Sequence, residues 1–228
     1  MTTVAERIDE VLSRVSAAAA RSGRSDAEVT VVAVSKTFGV PAIIEATEAG
    51  LTDFGENRAQ ELSTKRRDLG DTVRWHFVGR LQKNKVRLVT GAASLIHSVD
   101  DMRLAEAIAR RAMELGVQQD VLVEVNVSGE QAKNGVDATV AVALAREVNE
   151  LDGLAVKGLM TIPALPEDPE ESRPAYDLLA SLGSQLRAAV PGAVELSMGM
   201  TRDFEVAVEQ GATIVRVGEA IFGPRKTA

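Results

Sequence analysis

Three places in the sequence combine residue types that could do chemistry. Lys36 ends the run 29–36 (VTVVAVSK), an almost continuous apolar stretch of the kind buried on both faces of a sheet. Its parity partners are Thr30, Val32 and Val34, so all four follow one face of a strand. An amine there either leaves the sheet into solvent or, poorly hydrated, becomes a Schiff-base nucleophile. Arg216 lies inside the short apolar run 213–218 (TIVRVG), where a guanidinium is costly unless paired. The segment 197–203 (SMGMTRD) offers a flexible backbone, two hydroxyls in Ser197 and Thr201, and the start of a helix with Asp203 as its cap. Turns of this kind bind phosphate, and Gly218 lets a second backbone segment approach. A lysine, an arginine and a phosphate turn on one rim would describe a site for a phosphorylated aldehyde.

The elements that must bring them together follow from hydrophobic periodicity. Val4, Ile8, Val11, Leu12 and Val15 fall at helical spacing, so the chain opens with a helix reaching about residue 20. Strands are predicted over 29–35, 52–55, 74–79, 95–99, 121–127, 156–161, 194–197 and 213–218. Helices are predicted between them over 41–50, 60–69, 83–90, 102–115, 138–151, 175–190 and 204–210. Alternation of β and α implies a parallel sheet, and eight units imply closure into a single (β/α)8 TIM barrel with an extra N-terminal helix. An open doubly wound sheet is the alternative, but the glycine fingerprint expected after its first strand is absent. Barrel closure makes strand eight the neighbour of strand one, which carries Lys36 and Arg216 to one mouth.

Composition removes other chemistries. The chain has 228 residues, 26 Lys+Arg against 33 Asp+Glu, and a formal charge of −7. A pI near 5.1 argues against a broad nucleic-acid or anionic-membrane surface. With no cysteine and only His76 and His97, no disulfide, thiolate or metal centre is expected. Charges at Glu6, Arg7, Asp9 and Glu10 interrupt the block that a signal peptide needs, and no run reaches the ~18 apolar residues of a spanning helix. The expectation is one cytoplasmic domain over 1–228 that binds neither nucleic acid nor membrane. His76 reads as a satisfied core or rim residue, and Lys83, Lys85 and Arg87 as a solvated helix face. Asn57, after the very short second strand, either reaches the mouth or caps a helix.

With these residues placed, the sequence resembles the YggS/PROSC family of pyridoxal-phosphate-binding proteins over nearly its whole length. The matching segments are AVSK at 33–36, FGENRAQE at 54–61, WHFVGRLQKNK at 75–85, IHSVD at 96–100, GLMT at 158–161 and LSMGMTRDFEVAVEQGATIVRVGEAIFG at 196–223. The resemblance implies a fold type III-like barrel, similar to the amino-terminal domain of alanine racemase, with no second β domain. It implies pyridoxal 5'-phosphate (PLP) as cofactor and Lys36 as the aldimine lysine. Arg216 would face the pyridine nitrogen, Ser197, Thr201 and Gly218 would form the phosphate cup, and Asn57 would lie beside the ring. Where relatives commonly carry a small hydroxyl residue, this chain has Glu219; a carboxylate there would repel a phosphate, so Glu219 is left out of the site.

A guanidinium against the pyridine nitrogen weakens the ring as an electron sink. Racemases add a base on each face, one of them a tyrosine from a second domain. Here the one tyrosine, Tyr176, falls on a predicted outer helix, and Glu124 is the only acid at a neighbouring strand end. The implied function is a monomeric PLP homeostasis protein that buffers vitamin B6 cofactor and passes it to apo-PLP enzymes, without catalytic turnover. A weak PLP-dependent amino-acid racemase and a cofactor-free Schiff-base aldolase are the alternatives.

Overall fold

The computed structural model describes residues 2–130 and 134–224. Eight strands, all parallel, close into a ring: β1 (Thr30–Val34), β2 (Asp53–Glu56), β3 (Arg74–Phe77), β4 (Leu95–Val99), β5 (Gln119–Asn126), β7 (Leu154–Met160), β8 (Glu195–Ser197) and β9 (Ile214–Val217). Pairing of Val32 with Arg216 joins the last strand to the first. Pairing of Val121 with Ile96 completes the other side. The ninth strand, β6 (Val136–Asp137), is not among those that the periodicity predicts; its two residues pair with Val125 and Asn126 beside the carboxyl end of β5.

Helices α2 (Val40–Glu48), α3 (Ala59–Leu69), α4 (Val86–Val89), α5 (Met102–Leu115), α6 (Ala141–Asn149), α7 (Arg173–Ala189) and α8 (Phe204–Glu209) fill the connections. The predicted helix over 83–90 begins as a 3-10 turn, Lys83–Lys85, before α4. The chain adds α9 (Glu219–Phe222) after β9, a single turn that the sequence pattern does not announce. One turn cannot cover the seam between β9 and β1. That work falls to the opening helix, α1 (Val4–Arg21), which packs on α8, α9 and α2. Its apolar stripe of Val4, Ile8, Val11 and Val15 is buried, and a capping box between Thr3 and Glu6 starts it. Each buried aliphatic side chain contributes about 1.5–3 kcal/mol, so packing rather than intrinsic propensity holds this helix.

The apolar core has two parts. A large shell lies between ring and helices, and a small interior layer consists of Val32, Leu95, Leu122, Met160 and Ile214. Above that layer the inward positions turn polar: His76, His97, Glu124, Ser197 and Arg216 are all buried. A barrel interior normally holds branched aliphatic residues, so this polar floor marks the end where ligands bind.

Candidate functional site

At the carboxyl ends of the strands lies a cavity of about 700 Å³. Lys36, Asn57, Thr201, Arg216 and Gly218 all line it. Ser197 does not; its hydroxyl lies beneath, fully buried and engaged with Arg216 and His97. Lys36 follows β1 on the strand face shared by Val32, in the interior layer, and Val34, in the cavity wall. The next residue, Thr37, has φ 71, a left-handed conformation costly for a β-branched side chain. Phe38 stacks on Phe222 of α9 at 5.0 Å and pins the turn against the last helix. Asn57 is not a cap: Arg58 holds the N-cap position of α3, with no side-chain cap bond. Gly79, from the turn after β3, lies so close that a Cβ there would stand 2.3 Å from the Asn57 carbonyl oxygen.

Arg216 is fixed from below. Its Nη1 donates to Ser197 Oγ at 2.6 Å and its Nη2 to the Thr161 carbonyl at 2.9 Å. Ser197 Oγ is 2.9 Å from His97 Nδ1, His97 Nε2 is 2.9 Å from His76 Nδ1, and His76 Nε2 is 3.0 Å from Asp53 Oδ1. Burial, with His76 and Arg216 alongside, drives His97 well below its usual value, so it is neutral. Burial pushes the Asp53 carboxyl upward, but bonds from His76, Arg74 and Thr52 outweigh it and hold the group at about 2. A guanidinium only donates and a carboxylate only accepts. With Arg216 donating at one end and Asp53 accepting at the other, the five residues form one continuous row across the floor of the cavity. His76 is satisfied, as its place in a strand suggests, but the sequence carries no signal for this row, because five strands contribute to it.

The turn after β8 is shaped by two residues. Gly199 has φ 89, and a Cβ there would stand 2.5 Å from the Ala207 Cβ, so the turn folds directly onto α8. Asp203 holds the N-cap position of α8, yet it does not cap that helix. Its carboxylate instead accepts from Met200 N–H at 2.8 Å, Ser172 Oγ at 2.7 Å and Tyr176 Oη at 2.7 Å. Two backbone-bound ends and a buried carboxylate make the turn rigid while Thr201 faces the cavity. Tyr176, buried on α7 and pushed above its ordinary value by burial and then by Asp203, is not in the cavity wall.

Charge in the cavity is mixed. Lys36, Arg80, Arg202 and Arg216 face Glu124, Asp203 and Glu219, an excess of one cation in a chain of net charge −7. Burial, and then Asp100, push Glu124 up to about 7, so at neutral pH it is partly protonated. Glu219 is the exposed first residue of α9. Gly218 keeps the α9 entrance open, since a Cβ there would approach the Val34 carbonyl to 3.3 Å. An amine, a fixed guanidinium, a hydroxyl and an uncovered backbone facing one room suit an aldehyde that carries a heteroaromatic ring and a phosphate. Among the described residues no group of three or more His, Asp or Glu side chains could hold a metal, and no helix is long and apolar enough to cross a membrane.

The family described as alanine racemase, N-terminal domain, matches residues 8–226. A pyridoxal phosphate homeostasis protein of Aquifex aeolicus is 45% identical over 223 residues, 97% of this chain and 98% of that one. One of Escherichia coli K12 is 40% identical over 230 residues, covering 99% and 98%. The structure of PipY from Synechococcus elongatus with PLP bound superposes with a TM-score of 0.83 at 34% identity, covering 97% of this chain and all of that one.

Proposed function

The chain belongs to the pyridoxal phosphate homeostasis proteins, within the alanine racemase N-terminal domain family, and from that premise we propose that it binds PLP in the mouth cavity and buffers and delivers it in the cytoplasm. The observation that carries this reading is that Lys36, just past the end of β1, and Arg216, on β9, line one cavity where those strands pair at barrel closure, together with Thr201 from the rigid turn. When bound, the cofactor supplies an aldehyde for covalent attachment and a ring that withdraws electrons from an attached amine.

The chain's own residues do the rest. Lys36 Nζ holds the aldehyde carbon. Arg216 would hold the cofactor's ring from the cavity floor, its guanidinium fixed by Ser197 and the Thr161 carbonyl. Thr201 and the backbone at Gly218 take the phosphate, with Ser197 acting from beneath through the guanidinium it holds. Asn57 flanks the ring. Hydrogen bonds to charged groups contribute about 1.5–3 kcal/mol each, enough for retention without burying the ligand. Delivery from a monomer to apo-PLP enzymes follows from an open cavity and a reversible C=N bond.

Absence of turnover is part of the proposal. With Tyr176 tied to Asp203 behind the turn, a two-base mechanism lacks its second base. One observation favours a weak racemase instead: Glu124, poised near neutrality in the cavity wall, suits proton transfer. The test joins borohydride trapping and peptide mapping to α-proton exchange of L-alanine in deuterated water. Trapping should label Lys36, Lys36→Ala should lose the visible band while staying folded, and exchange should stay far below about 1 s⁻¹. Label on another lysine refutes the site, and exchange at enzyme-like rates establishes the racemase.

A further inference from the structure

We propose that Lys65, together with Glu56 and Glu61, positions Lys36: a buried ion cluster behind β1 grips the residues on either side of the lysine and sets where its amine stands. This rests on the reading of Lys36 as the covalent anchor. Lys65 Nζ, on α3, donates to the Ser35 carbonyl at 2.8 Å, to Glu56 Oε1 at 2.5 Å and to Glu61 Oε1 at 2.8 Å. Ser35 is held a second time, its Oγ donating to Glu56 Oε1 at 2.6 Å. On the far side, Thr37 N–H donates to Glu61 Oε1 at 2.8 Å. Every bond ends on Ser35 or Thr37 or ties the cluster to itself.

Stability alone gives no reason for such a cluster. Lys65, Glu56 and Ser35 are buried, and one cation faces two carboxylates. Glu56 Oε2 has no partner. Buried ion pairs gain little over well-packed apolar side chains, so a cluster with excess carboxylate calls for another explanation. The backbone supplies one. Thr37 is the only non-glycine residue at positive φ among the described residues, and such a conformation persists only where its surroundings enforce it. The cluster enforces it from outside the ring, and none of its members lines the cavity. They are positioning residues: the pair on Lys36 Nζ attacks the aldehyde carbon, a C–N bond forms, and the carbonyl oxygen leaves as water with the two amine hydrogens. That condensation requires the amine within about 3–3.5 Å of the carbon, and a misplacement of about 1 Å costs up to ~10²-fold.

Lys65→Met would strand Glu56 and endanger folding, so the decisive variant is Glu61→Ala, made at a partly exposed side chain. Pyridoxal, which lacks the phosphate, is mixed with the protein in stopped flow and the visible band is followed; borohydride then locates the bond. The rate should fall about tenfold or more in Glu61→Ala and recover in part in Glu61→Gln, which keeps an acceptor for Thr37 N–H. In a Lys36→Ala background, Glu61→Ala should leave PLP affinity, read by fluorescence, unchanged. A rate within about twofold of the parent with Lys36 labelled overturns the inference alone. Equal loss of affinity in the Lys36→Ala background also overturns it, because that loss would mark general loosening. Label on another lysine removes the reading of Lys36 together with this inference.

Discussion

Asp53 and Glu56 are two carboxylates on the same four-residue strand, β2, and they face opposite sides of it. Asp53 points into the ring, where His76, Arg74 and Thr52 all bond to it. Glu56 points outward to Lys65 and Ser35. Both are buried, yet Asp53 falls to about 2 while Glu56 is raised. Burial raises each; the difference is how well the oxygens are served. Asp53 has donors on both of its oxygens, whereas Glu56 has one oxygen shared and one without a partner, and Glu61 adds a like charge. Burial thus fixes no sign until the bonds are counted. The inner carboxylate anchors a hydrogen-bonded row under Arg216, and the outer one sits in a cluster that tolerates imbalance to hold Lys36.

Removing the counter-charge of the outer cluster should do most damage. Lys65→Met leaves Glu56 buried without its cation, and urea unfolding at pH 7 should show a loss of about 3–5 kcal/mol. A loss under about 1 kcal/mol would mean that Glu56 reaches water or a proton cheaply. Next comes Asp53→Asn, expected to cost about 2 kcal/mol at pH 7, the equivalent of lowering a carboxyl from 3.8 to about 2. A depressed folded value stabilises above the unfolded value and loses that contribution as pH falls through about 2. The gap between parent and variant should therefore narrow from pH 4 downward. Glu56→Gln should have the smallest effect, within about 1 kcal/mol at pH 7, because relief of burial offsets the lost ionic bond. Its pH signature is opposite: a raised folded value favours the fold at low pH, and that benefit fades as pH rises from 4.5 through the folded value. Melting curves across pH that change in the same sense for both variants would dissolve the contrast.

Much of this architecture is legible in the sequence, and the failures have physical reasons. β1 is a Val-rich run with Lys36 two residues past its end, and β9 an Ile/Val run with Arg216 inside it, so strand, parity and mouth position follow together. β6 is two residues and α9 four, too short for periodicity to register. Thr201, Gly218 and Asn57 reach the cavity because they follow strand ends. Ser197 has the same credentials, but His97 and Arg216 draw its hydroxyl inward, and no local pattern encodes a partner 100 residues away. Asp203 looks like a cap and is instead a cross-brace to α7, for the same reason. Lys65 hides best. In AQELSTKRRDL it is one cation among three, and only folding shows that it faces inward while Arg66 and Arg67 do not.

The seam between β9 and β1 bears on how the protein is made. A nascent chain emerges from the ribosome with Lys36 early, but Arg216, Gly218 and Phe222 are among the last described residues to appear. Until the segment after β9 is made, α1 has no α9 to cover, and Arg7 lacks the Ile221 carbonyl that its Nε bonds at 2.7 Å. Loop closure over nearly the whole chain is slow compared with local helix formation. The pocket therefore cannot close until β9 has been made, so a chain translated only as far as β8 has no complete site to hold a reactive aldehyde.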